Sequence, residues 1–531
     1  MTGSARALWT SRWLPTAALA ALSLIPRLWS LTTRGLLYWD EGIFLMGARF
    51  LHWRIGGLAG QALGHPPLDP ALFEGFPTFL GKPGHVMLLG LITAGRYPRP
   101  FDTLLLSVAA SLITVLVIVR LGTRAHSRAA GWTAGVLLAV SPYYLVYSRS
   151  GLHETTSVMF VMLALLALAR ARATSRGWSV LTGALFAASI TASYRWIIVP
   201  PLLGAMDFAC AAANRSIRAV LRRWLWIALG FALPILAVES SYHILFRGFE
   251  QYSETSYLVF FPQKFSNEGA WDVQQLDYYP RLFARLDGIT AGLLVVGGMF
   301  LLARQRFDAL APLGLLLFGF IAFACTTTRL ARSISLLLPL AYLAAGIALV
   351  SLWRWRRAGK VAATAAAVLL LLEQAPVLQR VIAMTSGYAE AIAWLDEHGE
   401  RRVFSTMMPI AAAYLGTGNA VYPPPETSDM LAYARAEGIR YLLVDWQEYV
   451  WYHPSIAETK RRCAPARRIA NPYTMFPTVL RENYLPQDAV FFEQNDPDAA
   501  WIRIYDLHQC YPPSAPQTDA AGNSAAQASE E

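Results

Sequence analysis

Apolar segments of roughly 20 residues recur between residues 13 and 378, separated by loops in which arginine is concentrated. A run of that length can cross the hydrocarbon of a bilayer as an α-helix. Inside lipid only helices and closed barrels satisfy their own backbone polar groups. The pattern therefore restricts the chain to a helical bundle in a membrane before any residue has a role. Of the 531 residues 55% are hydrophobic and 15% are charged, against about 25% charged in soluble domains. A formal net charge of +10 in a soluble protein would suggest nucleic acid. Here the arginines lie in inter-helix loops, where they orient the spans, so no nucleic-acid partner is expected.

Eleven membrane helices are read from hydropathy, at about 13–32, 101–121, 130–148, 155–170, 178–194, 196–213, 224–245, 285–303, 309–327, 333–353 and 361–378. Arg6 and Arg12 followed by Leu14–Ile25 resemble a signal peptide, but so many spans follow that an uncleaved first helix is expected. Basic clusters at Arg120–Arg128, Arg170–Arg176, Arg215–Arg223, Arg304–Arg306 and Arg354–Lys360 fall in alternate loops. By the positive-inside rule they mark the cytoplasmic side, together with residues 1–12. The apolar stretch Gly84–Gly95 is too short to cross and is read as an interfacial or re-entrant helix. That choice puts the whole loop 33–100, the loop 246–284 and everything after residue 378 on the outer side.

Sidedness gathers ionisable residues from distant loops at one face. Asp40 and Glu41 follow the first span, in Trp39-Asp40-Glu41-Gly42, and Glu154 opens the span after Tyr147-Ser148-Arg149-Ser150-Gly151-Leu152-His153. His65, Lys82, His85, Arg149, His153, Arg195, Arg329 and Arg332 reach the same side. Carboxylates near hydrocarbon are costly and usually mark function. Acidic residues also favour helix N-termini, so Asp40-Glu41 could in addition cap a helix starting at Gly42. The loop 246–284 is rich in aromatic rings interleaved with acids, which suits a membrane-surface belt or a lid.

From Met384 to Tyr511 the composition turns water-soluble. Helices are expected at Ala389–His398, Ile410–Leu415 and Thr427–Glu437, and strands at Arg402–Ser405, Ile439–Asp445 and Trp501–Leu507. A small extracytoplasmic α/β domain over 379–513 follows, with roles in acceptor handling or docking, and 514–531 is expected to be disordered. Cys463 and Cys510 share that domain, where a disulfide is permitted, while Cys210 and Cys325 fall inside spans. No Cys/His metal spacing, P-loop or dinucleotide fingerprint appears in the sequence, which argues against a cytosolic nucleotide donor.

The layout over 13–378 resembles the GT-C class of membrane glycosyltransferases, in particular the phospholipid-carrier-dependent protein O-mannosyltransferases and aminoarabinose transferases. The resemblance rests on Asp40-Glu41-Gly42-Ile43-Phe44 in the first outer loop and Gly81-Lys82-Pro83-Gly84-His85 before an interfacial helix. It also rests on Ser141-Pro142-Tyr143 through His153-Glu154, and on Arg329 to Pro339 leading into a late helix. Gly84 stands where that family carries a second proline, and Glu154 where it more often carries Asp. The implied fold is a polytopic α-helical membrane protein, GT-C-like, with about 11 transmembrane helices and a C-terminal extracytoplasmic α/β domain.

The implied activity is inverting transfer of a sugar from a polyprenyl-phosphate carrier to an acceptor hydroxyl on a protein, lipid or polysaccharide. Asp40, Glu41 and Glu154 are then the catalytic carboxylates, with Asp40 as the base that takes the acceptor proton. Lys82, Arg149, Arg195, Arg329 and Arg332 are the donor-phosphate cations. No cofactor is firmly required; a divalent cation (Mg2+ or Mn2+) stays open, with Asp40 and Glu154 as its ligands if one binds. Arginine- and alanine-rich usage suits a bacterial inner membrane. The alternatives are a polyprenyl-linked lipid flippase or transporter and a non-catalytic envelope-glycan assembly protein. Transporters tend to carry mid-membrane charge and repeated halves, and neither is visible in the sequence.

Overall fold

A computed structural model describes residues 13–60, 82–93, 96–172, 176–213, 217–245, 256–258, 276–304, 307–325, 331–416, 419–421, 423–424, 428–445, 453–471 and 501–512. Residues 1–12, His65, Arg329, most of the aromatic loop and the tail 514–531 lie outside the described residues.

Over their described residues all eleven expected segments are mainly helical, but fewer qualify as straight spans. Among the described residues six helices are long and apolar enough to cross a membrane, or eight if each of two bent pairs counts as one span. One bent pair is Arg128–Val140 with Pro142–Ser148, turned by 65°, and the other is Tyr278–Asp287 with Ile289–Ala303, turned by 118°. The first break sits where Pro142 has no N–H to continue the ladder, and the second at Gly288, whose φ of 93° is open chiefly to glycine. The remaining difference comes from short helices. Arg176–Ala192 has 17 residues and Val199–Ala213 has 15, short of the roughly 20 of a usual span. Hydropathy sees an apolar run and cannot see where it bends.

The segment Ala331–Arg354 is the centre of the bundle, 94% buried over its apolar window. The helix Ile217–Leu245 lies at the rim, with Leu221, Leu225, Leu229, Leu233 and Leu236 turned outward to lipid. It still packs closely on Arg176–Ala192. A Cβ on Gly183 would collide with the Ile227 carbonyl and one on Gly230 with that of Val180. Small residues that let two backbones approach are the usual adhesive between helices in lipid.

Two further helices complete one end of the bundle. Within the short apolar stretch after Lys82 stands the helix Pro83–Ile92, and the loop after the first span holds a 20-residue helix, Trp39–Leu58.

Beyond the bundle, a five-stranded mixed sheet has the order β2-β1-β3-β5-β4. Its strands are β1 (Val403–Ser405), β2 (Ala420–Val421), β3 (Tyr441–Val444), β4 (Arg467–Ala470) and β5 (Trp501–Asp506). β1 runs parallel to β2 and β3, whereas β5 is antiparallel to both β3 and β4. The expected helices stand at Tyr388–Glu397, Met408–Leu415 and Met430–Ala436. β4 escapes sequence reading because three of its four residues, Arg467, Arg468 and Ala470, are exposed at the sheet edge. Cys463 is bonded to Cys510 with their Cα atoms 5.5 Å apart, tying the end of helix Pro454–Arg462 to the turn after β5.

The two parts touch closely. Helix Met408–Leu415 packs along Trp39–Leu58, and a Cβ on Gly42 would sit 2.5 Å from the carbonyl of Pro409. Tyr414 accepts the Leu36 N–H at 3.1 Å, and the Ser386 N–H donates to the Arg34 carbonyl at 2.8 Å. The α/β domain is thereby fastened to the backbone on either side of Asp40-Glu41.

Candidate functional site

Asp40 and Glu41 occupy the first turn of Trp39–Leu58, where the positive end of the helix dipole favours carboxylates. Their side chains part company. Glu41 is fully buried and folds back, one oxygen accepting the N–H groups of Leu37 and Tyr38 at 2.5 and 3.0 Å. Its other oxygen accepts the Gly151 N–H at 2.6 Å and Arg34 at 3.2 Å. These three N–H groups and Arg34 hold the loop before Trp39 to the turn at 149–153. Glu41, expected as a catalytic carboxylate, stands here as the clasp of that loop.

Asp40 points the other way and is ion-paired with Arg332, on the 3-10 turn Ala331–Leu336. The same guanidinium lies 3.6 Å from Glu154. Glu154 begins the helix Glu154–Ala171, and the preceding His153 places its Nε2 3.3 Å from the Glu154 carboxylate. Beyond these ion contacts, both oxygens of Glu154 and both ring nitrogens of His153 are buried without a hydrogen bond. Buried polar atoms almost always have such a partner, so their clustering singles out this spot.

Lys82 caps the helix Pro83–Ile92, nearly buried, with its ammonium 3.8 Å over the ring of Tyr194. Arg195 follows Tyr194 on the turn Tyr194–Ile198. These cations surround the imidazoles. Burial, followed by the charges of Lys82, Arg332, His85 and Arg195, holds His153 well below its ordinary range. Burial pushes His85 down to about 4, and its Nδ1 lies 3.1 Å from the Thr156 hydroxyl. Both rings flank Phe44 edge-on and are neutral at pH 7.

Asp40, Glu154, Lys82, Arg195 and Arg332 are therefore brought together from five segments. Arg149 is not among them. Its guanidinium donates to the carbonyls of Pro26, Arg27, Trp29 and Ile382, satisfying the exposed end of the first span. Among the described residues no three His, Cys, Asp or Glu side chains converge as metal ligands. Arg332 contacts both Asp40 and Glu154, so a cation bridging them would have to displace it. His153, His85 and Tyr194 complete the cluster; the first two were visible only as outer-loop polarity, and Tyr194 carried no signal apart from its neighbour Arg195.

The helical bundle with its attached α/β domain is similar in fold to solved structures of an archaeal oligosaccharyltransferase and of ArnT. Residues 83–242 match the family model described as dolichyl-phosphate-mannose-protein mannosyltransferase. The structure of ArnT from Cupriavidus metallidurans bound to undecaprenyl phosphate superposes with a TM-score of 0.56 at 15% identity, over 85% of this chain and 95% of that one. The archaeal oligosaccharyltransferase AglB from Archaeoglobus fulgidus, in complex with an inhibitory peptide and a dolichol-phosphate, gives 0.55 at 12% identity, over 86% and 75%. No curated protein sequence matches this chain significantly.

Proposed function

We propose that this protein transfers a sugar from a polyprenyl-phosphate carrier to an acceptor hydroxyl, with inversion, at the extracytoplasmic face of a bacterial inner membrane. The observation that carries the reading is one guanidinium, Arg332, shared by two carboxylates from separate helices in a cluster that also holds Lys82 and Arg195. A leaving lipid phosphate gains negative charge as its bond to the anomeric carbon breaks, and preorganised cations stabilise that charge. The planar fork of arginine suits phosphate oxygens. The matched family model and the lipid phosphates named in the two superposed structures support the same donor class.

In this reading the phosphate engages Arg332, with Lys82 and Arg195 beside it, and takes over donors that now face Asp40. Asp40 is then left to the acceptor hydroxyl. The acceptor oxygen forms its bond to the anomeric carbon as the phosphate oxygen departs with the bonding electrons, and the acceptor proton passes to Asp40. Glu154, 3.6 Å from the Arg332 guanidinium, holds it in line. A divalent cation at Asp40 and Glu154 remains compatible only with movement of Arg332.

An apolar cavity of about 330 Å³ supports a lipid donor. Its walls include Phe283, Val295, Met299, Phe320, Ile334 and Leu338, and Ile334 lies two residues from Arg332 on the same turn. A prenyl chain housed there would leave its phosphate near the cations. Arg120 and Arg124 lie towards the far end of Pro100–Ala125, whose first turn lies beside Gly151 at the site, which supports an outward-facing site by the positive-inside rule.

Purified protein incubated with radiolabelled polyprenyl-phosphate sugars tests the reading. Transfer by the wild type and its loss in a folded Asp40→Asn variant are expected. Undiminished transfer by Asp40→Asn would remove the base, and transbilayer lipid movement without transfer would favour the flippase.

A further inference from the structure

We infer that Tyr143 is a positioning residue for Arg332, set in place by a buried carboxylate, Asp287, that grips both bends of the bundle. The inference deepens the transferase reading, on which it rests.

The chain of contacts is short. The Tyr143 hydroxyl donates to the carbonyl of Ala331 at 2.6 Å, across 188 residues. Ala331 opens the 3-10 turn on which Arg332 is the next residue. Tyr143 is fully buried, so this bond is shielded from water, and it fixes the backbone from which the Arg332 side chain springs.

Tyr143 is itself held at the other end. Its N–H donates to Asp287 at 3.1 Å, and the Ser141 hydroxyl donates to the two Asp287 oxygens at 3.0 and 3.1 Å. Ser141 in turn accepts the Tyr144 N–H at 3.0 Å. These N–H groups open the helix Pro142–Ser148 and have no partner within it. Asp287 supplies that partner from the last position before the 118° bend. Gln374, from the helix Arg357–Ala383, donates to the Asp287 carbonyl at 3.0 Å and to the Tyr342 hydroxyl at 3.1 Å.

A fully buried carboxylate in a membrane bundle is costly and is kept where it serves something. Fastening two bends would explain Asp287 and Ser141 alone. It does not explain the Tyr143 hydroxyl, which leaves the bend and reaches the turn bearing Arg332. Helix breaks normally loosen a bundle; here they are pinned to each other, and the pin extends into the site. A guanidinium that must serve two carboxylates and a phosphate needs a fixed root, because misplacement by about 1 Å can cost roughly 100-fold in rate.

The test is a double-mutant cycle on the full-length protein in lipid nanodiscs, with Tyr143→Phe, Arg332→Ala and the pair. Tyr143→Phe removes one oxygen and keeps the ring's packing. The expected result is a loss of about tenfold in kcat with little change in KM, as befits a group acting on the transition state, and a double variant no worse than Arg332→Ala alone. Ser141→Ala, which loosens the Asp287 grip without touching the Tyr143 ring, is expected to give a smaller loss that Arg332→Ala likewise absorbs. An unchanged kcat in Tyr143→Phe, or losses that multiply in the double variant, would overturn the inference.

If the wild type transfers no sugar from any polyprenyl-phosphate donor, the transferase reading fails separately. The same cycle read on the Kd for undecaprenyl phosphate then decides the positioning role by the same criterion of non-additivity. A wild type that neither transfers nor binds overturns both.

Discussion

Arg332 and Asp40, 292 residues apart in the chain, form an ion pair at one end of the bundle, and the same guanidinium reaches Glu154 at 3.6 Å. Three helical segments thus converge on one cation. Both partners of the pair are largely, not wholly, withdrawn from solvent, each side chain retaining 14% exposure. A fully buried pair would be a fold element; this one keeps an open side from which a ligand can compete.

Replacing Arg332 by Ala is expected to lower kcat/KM for sugar transfer by about 10²–10³-fold, the scale for losing one preorganised stabiliser of developing charge. Arg332→Lys should recover little, since an ammonium cannot address two carboxylates and a phosphate with a planar fork. Steady-state kinetics with a polyprenyl-phosphate sugar measure both.

Glu41→Gln should behave unlike Asp40→Asn. Glu41 accepts from three backbone N–H groups and Arg34 while fully buried, so an amide would set its NH2 against at least one donor and leave Arg34 uncompensated. A stability loss of about 2–4 kcal/mol is expected, visible as a lower Tm, whereas Asp40→Asn should unfold near the wild-type temperature.

Gly42→Leu is expected to push the α/β domain away from Trp39–Leu58, because even a Cβ would meet the Pro409 carbonyl at 2.5 Å. Overpacking of this kind costs about 1–3 kcal/mol. Faster limited proteolysis between 384 and 416, with weakened transfer, is the readout; equal protease resistance in variant and wild type would show the contact is dispensable.

Cleaving the Cys463–Cys510 bond releases a loop of 47 residues. Loop closure on that scale stabilises by about 4 kcal/mol in the chain-entropy account. Cys463→Ser with Cys510→Ser should therefore lower the unfolding temperature of the α/β domain in calorimetry, and reductant should reproduce the shift in the wild type only.

Mild acid should destabilise the fold through His153 and His85. Both are buried with depressed values in the folded protein, His85 at about 4. Below about 6.5 the unfolded chain takes up protons that the native one refuses. Their contribution is thus fully present above 6.5 and declines as pH falls toward 4, with a slope of up to about 1.4 kcal/mol per pH unit for each ring. Comparing Tm at pH 7 and pH 5 for the wild type and for His153→Gln checks it: the variant should lose less between the two.

Hydropathy and the spacing of arginine made the helical bundle legible, because lipid imposes a single rule on every segment regardless of its neighbours. The α/β domain was equally readable where strands were buried on both faces, as in Tyr441–Val444, and unreadable at the exposed edge strand Arg467–Ala470. Bends were hidden. Pro142 and Gly288 permit a break, but neither sets its angle when the turn is held by Asp287 reaching Ser141, 146 residues away.

Residue identity alone selected the ionisable set, since charge beside hydrocarbon is rare enough to stand out. It could not sort that set. Asp40 and Glu41 are neighbours in sequence with the same chemistry, yet one is spent on backbone donors at 37, 38 and 151 and the other faces Arg332. Arg149 and Arg195 likewise looked interchangeable until four carbonyls claimed the first. Which polar group finds a partner depends on what other helices bring within 3 Å, and that is a property of packing in three dimensions, absent from any stretch of chain read by itself.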